Sequence, residues 1–307
     1  MSKRPVTNTA ASVRQRLLNL AKASARPFNE VLQHYALERW LYRLSRSEHA
    51  ERFVLKGALL LRVWDIPTGR PTRDIDLLAR TSNDLESIQR IVKAVCETPV
   101  DDDGMEFHGE SVATERISED ADYQGVRATF DATLGAARCP MQIDIGFSDV
   151  VTPGPVEIDY PTILELPAPH LRAYNRETVI AEKFEAMIKL GELNSRMKDF
   201  FDVWALATSQ EFSGPELVET VRATFTRRGT TMDVSAPCFA EGFAGLDTKA
   251  RQWRAFVRRG ELAEAPLSFP DVWQAVMTFL RPVAEAIQFE RSFEMGWVSG
   301  GPWWPRA

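Results

Sequence analysis

Apolar positions at helical spacing open the chain. From about Ala11 to Ser24, Val13, Leu17, Leu18, Leu20 and Ala21 recur with a 3.6-residue period, and Arg14, Arg16 and Lys22 fall on the other side. Pro27 stops this helix, and Asn29 is placed to cap a second one running through Val31, Leu32, Tyr35, Ala36, Trp40 and Leu41 to Leu44. From Phe53 the pattern changes. The run FVLKGALLLRVW is apolar almost throughout, broken by Lys56-Gly57, and leads into the turn-rich DIPTGRPT. DIDLLAR then alternates as a short strand, and Ser82-Asn83 can cap a helix through Leu85, Ile88, Ile91, Val92 and Val95. GMEFHG, VRATFDATL, PMQIDIGFSD and the weaker VEIDY read as further strands, separated by Gly, Pro and charged clusters.

Beyond Pro161, Pro167 and Pro169 the period becomes helical, in ETVIAEKFEAMIKL, FFDVWALA, PELVETVRATF and DVWQAVMTFL. The pattern predicts an α+β fold. A mixed, largely antiparallel sheet with flanking and N-terminal helices occupies 1–165, and a helical domain over 166–307 completes the active-site cleft. The C-terminal GWVSGGPWWPRA reads as either an ordered tail or a sticky edge.

Composition supports a real core, with 44% apolar and 26% charged residues in 307. The formal charge of −6 argues weakly against nucleic acid, but it is unevenly spread. Between Glu97 and Asp122 lie ten acids and one base, Arg116, so the remainder of the chain is mildly basic. That stretch suits a solvated loop or strand edge, a phosphate mimic, or a surface for a basic partner. Cys96, Cys139 and Cys238 are scattered without a CxxC pair, which fits a reduced compartment. No apolar run reaches membrane-spanning length, and Lys3, Arg4, Arg14 and Arg16 are not followed by a signal-type apolar block. The expectation is a soluble cytoplasmic protein with no membrane contact. P-loop, dinucleotide-binding, zincin and serine-hydrolase motifs are absent from the sequence.

The candidate chemistry begins at Asp74-Ile75-Asp76. On a strand both carboxylates point one way, ~6.5 Å apart at Cα, while Ile75 and Leu77 enter the core. Paired-cation sites hold ions ~3.5–4 Å apart and draw on several carboxylates. Asp144 is the natural third, because Met141, Ile143, Ile145 and Phe147 form one face of its strand and Gln142, Asp144 and Gly146 the other. A solvated strand face would carry the same acids. Upstream, Gly57 at a helix start would let backbone N–H groups approach a phosphate, with Lys56 as a point charge beside it.

In combination these features resemble the polymerase-β-type nucleotidyltransferases. FVLKGALLLRVW, GRPTRDIDLLAR and ETVIAEKFEAMIKLGELNSRMKDFFDVWAL together resemble the AbiEii/AbiGii (MenT-like) toxin nucleotidyltransferases, over roughly Phe28 to Leu206. The resemblance implies a phosphate loop at Lys56-Gly57-Ala58, a cation-binding pair at Asp74 and Asp76, and Asp144 as the third acid. It further implies Lys183 at the nucleotide phosphates and a (R/K)D-x-x-D signature at Lys198, Asp199 and Asp202, with Asp199 in the active site. Gly57-Ala58 departs from the Gly-Gly or Gly-Ser of most members, and the gap to Asp74 is long. The implied activity is Mg²⁺-dependent (or Mn²⁺-dependent) transfer of NMP from an NTP to an RNA acceptor, in particular the tRNA 3′ end. The implied role is that of a growth-inhibiting or phage-defence toxin held by a cognate antitoxin.

Other readings stand beside this. Lys183 alone is a helix lysine of the usual solvent-facing kind, and Lys198 and Asp202 suit an i,i+4 pair. Arg73 points away from Asp74 if the strand begins there, and in a loop it reaches phosphate instead. For an RNA acceptor, Lys249, Arg251, Arg254, Arg258 and Arg259 form an acid-free cluster with Trp253 and Phe256 interleaved. Arg251, Arg254 and Arg258 share one helix face that can track a backbone, or be merely solvated. Thr224 to Arg228 is a smaller basic candidate. Nucleotide transfer to a protein hydroxyl, and a degenerate nucleotide- or partner-binding module, are the alternatives.

Overall fold

The computed structural model describes residues 8–66, 72–120, 123–262, 265–266 and 268–305. These form two compact units. The first takes 8–63, 72–148 and 156–173, and the second takes 64–66, 149–155 and the described residues of 174–305. The predicted turn at 67–71, Lys3 and Arg4, Asp122 of the acidic stretch and the last two residues lie outside the described residues.

The first unit opens with α1 (Thr9–Ala23) and α2 (Phe28–Arg46). Pro27, whose carbonyl takes the first helical N–H groups, stands at the cap of α2 in place of Asn29. One eight-stranded mixed sheet follows. Its members are β1 (Phe53–Lys56), β2 (Ile75–Ala79), β3 (Met105–Phe107), β4 (Ala113–Asp120), β5 (Tyr123–Leu134), β6 (Ala137–Gly146), β7 (Val156–Asp159) and β8 (His170–Ala173). Their order is β3-β5-β6-β2-β1-β8-β7, with β4 also along β5. The β2–β6 and β1–β8 pairs are parallel and the others antiparallel. A short 3₁₀ turn links β1 to α3 (Leu60–Val63).

Helix α4 (Leu85–Cys96) is capped by Asp84, which accepts the Ser87 N–H at 2.8 Å, rather than by Ser82 or Asn83. Two strands of this unit escape the sequence pattern. β4 is too charged to alternate visibly, and β8 is a short tetrapeptide beyond the prolines that pairs with β1 and β7, so the first unit runs on to Ala173. As predicted, Ile75, Leu77, Met141, Ile143 and Ile145 are buried in its core, whereas Phe147, expected on the same face, is only half-buried. The acidic stretch is not uniformly solvated, because Asp103 is buried and takes two hydrogen bonds from Arg43, at 2.8 and 3.0 Å. All three cysteines are buried free thiols.

The second unit packs α5 (Arg176–Leu190), α6 (Met197–Ser209), α7 (Gly214–Arg228), α8 (Glu241–Ala244), α9 (Asp247–Gly260) and α10 (Phe269–Gln288). A small sheet of β9 (Phe212–Ser213), β10 (Met295–Trp297) and β11 (Trp303–Pro305) joins them in the order β11-β10-β9. The C-terminal aromatics are therefore an ordered part of the unit. Trp303 stacks on Phe279 with centroids 5.5 Å apart, and the Trp297 indole N–H donates to the Ala207 carbonyl at 2.7 Å. Aromatic side chains dominate this core, with Phe200, Phe201, Phe243, Phe269 and Trp253 in mutual contact. Among the described residues no helix is long and apolar enough to cross a membrane.

His34 on α2 makes a defined contribution to the first unit's pH response. Burial, with Arg62 and Arg26 nearby, lowers its pKa to about 4. The unfolded chain therefore takes up a proton near pH 6.5 that the folded unit refuses, so stability present above that pH is lost as pH falls toward 4. Urea titrations at pH 7.5 and 4.5 should show wild type losing on the order of 2–3 kcal/mol relative to His34→Gln across that window. A pH-independent difference would show that His34 does not carry this response.

Candidate functional site

Strand register assembles the acids. Asp76 lies opposite Asp144 in the parallel β2–β6 pair, and Asp74 immediately precedes β2. One carboxylate oxygen from each of Asp74, Asp76 and Asp144 lies within 4.8 Å of the others. The same register sets Lys56 opposite Asp76 and Arg127 opposite Asp144, so a row of cation, anion, anion, cation crosses four strands. Directly paired residues share a sheet face, and the alternate positions, Ile75 and Ile143, are buried.

Several local contacts aim these groups. The Thr72 hydroxyl donates to Asp74 at 2.9 Å. Gln33, reaching from α2, donates to the carbonyls of Arg73 and Pro140 at 3.3 and 3.2 Å, tying the approach to β2 to the start of β6. Arg73 itself is exposed. Gly57 has φ of +78°, and a Cβ there would lie 2.0 Å from Asp76 Oδ2. Both the left-handed backbone and the close approach require glycine. Ala58 next to it is half-buried in the turn, so the departure from Gly-Gly falls beside the constrained position rather than on it. Lys56 is buried, 6% exposed, and thus no flexible surface arm.

Arg127 is the residue that sequence reasoning missed. Its Nε and Nη2 donate to Asp144 Oδ1 and Oδ2 at 2.8 and 2.7 Å, and Gln142 adds longer contacts to both oxygens. The hydrogen bonds to Asp144 push the guanidinium pKa higher still. A signal was available: counting outward from the Gly135-Ala136 turn, Leu134 pairs with Ala137 and Arg127 with Asp144. An all-oxygen donor set of this size fits hard divalent cations such as Mg²⁺ or Mn²⁺. In this arrangement Asp144 is already held by a bidentate arginine, so a cation binding there competes with Arg127 for the carboxylate.

The second unit holds the remaining candidates. Lys183 on α5 donates to Asp199 at 3.1 Å and Asp202 at 2.7 Å, both from α6. The lysine is 14% exposed and both acids are fully buried. It is therefore not the solvent-facing lysine of the local reading, and Asp202 reaches across to α5. Burial raises the Asp199 pKa, but Lys183, Arg196 and Lys198 together outweigh it and hold the carboxyl below its ordinary range. Lys198 is exposed, at the start of α6.

On α9 the expected basic face divides. Lys249 is buried, donates to the Glu192 and Asn194 carbonyls at 2.7 and 2.5 Å, and lies over the Phe243 ring. Trp253 is core, 1% exposed, with its indole N–H on the Pro266 carbonyl. Neither is available to a ligand. Arg251, Arg254, Arg258 and Arg259 are exposed, but Arg251 and Arg259 line a pocket with Arg196 and Lys198 while Arg254 and Arg258 lie outside it. Of the smaller basic candidate, Arg228 is clamped by Asp149, Glu182 and Glu185 at 2.8, 3.4 and 3.0 Å.

Two substitutions test this geometry in the first unit. Gly57→Ala should cost about 1–3 kcal/mol in urea unfolding and weaken Mn²⁺ binding at least tenfold in calorimetry, because the methyl group displaces Asp76. Arg127→Ala should tighten Mn²⁺ binding severalfold while lowering metal-free stability by about 1–3 kcal/mol. Weaker binding would instead make Arg127 a positioner of Asp144.

Residues 39–278 match the family model of the nucleotidyl transferase AbiEii toxin of type IV toxin–antitoxin systems. No curated protein matches the chain. Among solved structures, a candidate nucleotidyltransferase from H. pylori is 14% identical, with a TM-score of 0.48 over 85% of this chain and 98% of that one. JHP933 from Helicobacter pylori is 13% identical, with a TM-score of 0.48 over 84% and 94%. With the family match extending over most of the sequence, and its acids converging on one strand register, the chain belongs to the AbiEii nucleotidyltransferase toxins.

Proposed function

We propose that the chain transfers a nucleoside monophosphate from an NTP to a hydroxyl of an RNA acceptor and releases pyrophosphate. Asp74, Asp76 and Asp144 would hold the divalent cations, Mg²⁺ in the cell and Mn²⁺ as a substitute. The convergence of these three carboxylates within 4.8 Å, in a chain of this family, carries the reading. Bound cations would supply charge neutralisation at the triphosphate and acidify the acceptor hydroxyl. The chain's own contribution is positioning.

Gly57 lets the loop after β1 close onto Asp76, and Lys56 adds buried positive charge in the same row. Arg127 matches phosphate oxygens as well as carboxylate oxygens, so it can pass from Asp144 to the nucleotide as the cations arrive. The family resemblance assigns Lys183 to the phosphates, and Asp199 and Asp202 aim its ammonium within its own unit. Arg73, exposed ahead of β2, is available to the same ligand. The resemblance names the tRNA 3′ end as acceptor and a cytoplasmic setting, and membership in a type IV system implies an antitoxin partner.

Purified protein incubated with Mg²⁺, each α-labelled NTP in turn and total cellular RNA should label an RNA of tRNA size. Asp76→Asn should lower labelling by at least about a hundredfold. It should remain folded by circular dichroism, since relief of the crowded carboxylates offsets the charge lost opposite Lys56. Label in a protein band would select a protein hydroxyl as acceptor. The Arg127 grip on Asp144 is the observation that favours a degenerate binding module, and nucleotide binding without any labelled product would select that reading instead.

A further inference from the structure

The second unit contains a pocket of about 540 Å³ between the start of α6 and one face of α9. Its size is that of a small-ligand site. Four of its nine lining residues are cations, Arg196, Lys198, Arg251 and Arg259, and none is an acid. Arg196 is partly committed, with its Nε on Asp199 Oδ2 at 2.6 Å. Arg259 gives one N–H to the Ala255 carbonyl, and among the described residues no ion pair engages Lys198, Arg251 or Arg259. Like charges gathered on a concave wall repel one another, and an anion relieves that repulsion far better than dispersed counterions do.

The remaining lining specifies the anion further. Phe256 is half-buried on the pocket wall, its ring held by Trp253 at 5.5 Å and Phe201 at 5.7 Å between centroids. It is an aromatic platform packed against the core beside the cations. Gln252, on the same wall, has an amide oxygen with no hydrogen-bond donor. An aromatic platform flanked by guanidinium groups is the arrangement that takes an unpaired base together with its phosphates. Arg254 and Arg258, exposed on the same helix outside the pocket, continue the positive charge beyond one nucleotide. That extension favours a polymer over a free nucleotide.

We propose that this α6–α9 pocket is the subsite for a single-stranded segment of the RNA acceptor. It takes one nucleotide with its base against Phe256 and its phosphates on Arg251, Arg259 and Lys198, and the strand continues along Arg254 and Arg258. The assignment rests on the RNA-acceptor reading above, and it departs from the sequence pattern in using the Arg251–Arg259 side of α9.

The test uses the full chain and a fluorescein-labelled eight-nucleotide RNA in an anisotropy titration. The Arg251→Glu/Arg259→Glu double variant should bind at least tenfold more weakly. Its slope of log K against log salt should be shallower by about 1.4, as expected for two lost phosphate contacts on a single strand. Arg222→Glu, a charge reversal at an exposed site on α7, should change affinity less than twofold. Phe256→Leu, which keeps an apolar side chain but removes the aromatic ring, should weaken RNA binding about tenfold or more while leaving the salt slope unchanged. Equal losses in Arg222→Glu, equally tight binding of a blunt RNA duplex, or equally tight binding of polyglutamate would each overturn the proposal. If the double variant binds and labels RNA as wild type does, the pocket assignment fails and the transferase reading stands. If wild type binds the oligomer through the pocket yet labels no RNA, the acceptor reading fails and the pocket stands only as an RNA-binding site.

Discussion

Two carboxylates side by side in a parallel strand pair repel, and the first unit is built around containing that repulsion. The register that sets Asp76 against Asp144 also places Lys56 at one end of the row and Arg127 at the other. A one-residue slip between β2 and β6 would break the alignment of the two acids and set an acid against a core residue, because side chains alternate along a strand. Core packing of Ile75, Leu77, Ile143 and Ile145 therefore holds the charges in place. The apolar face and the chemical face are two consequences of one register.

The second unit solves a related problem differently. Lys183 sits between two fully buried aspartates, and Arg228 is surrounded by Asp149, Glu182 and Glu185. Both Lys183 and the two glutamates belong to α5, so one short helix carries two ionic networks into a core otherwise made of aromatic rings. Apolar replacements of similar volume often stabilise as well as buried ion pairs do. What the pairs add is direction, since they orient the Lys183 ammonium toward α6. The Lys249 ammonium, used up on two carbonyls, holds the turn before α6 to α9 and so shapes one wall of the basic pocket.

Much of this was legible in the chain. The strand alternation in DIDLLAR and MQIDIGF placed Ile75, Leu77, Met141, Ile143 and Ile145 in the core, while Phe147 on the same predicted face is only half-buried; Gly57 stood out as a break between strand and helix. The misses have physical causes. Asp84 outcompetes Ser82 as a cap because it stands one residue before the helix, where its carboxylate reaches the Ser87 N–H. β4 is a strand through pairing with β5 rather than through propensity, and β8 is ordered by β1 and β7 on either side. Trp253 and Phe256 look alike in the sequence and both touch Phe201, but Trp253 also packs on Phe269 in the core while Phe256 stays on a pocket wall.

The sequence by itself determined which side chains face inward on each element, because that follows from local periodicity, and it carried the motif that marks the family. Beyond hairpins such as β5–β6, it could not determine which elements would be neighbours. Asp76 and Asp144 are far apart in the chain and meet only through a parallel pairing that no local signal encodes. The same holds for Lys183 with Asp199 and Asp202, and for Arg196 and Lys198 with Arg251 and Arg259. Charge is short-ranged in its consequences, so whether a lysine is solvated, buried as a clamp or turned toward a ligand depends on groups within a few ångströms. Those distances exist only once the chain has folded.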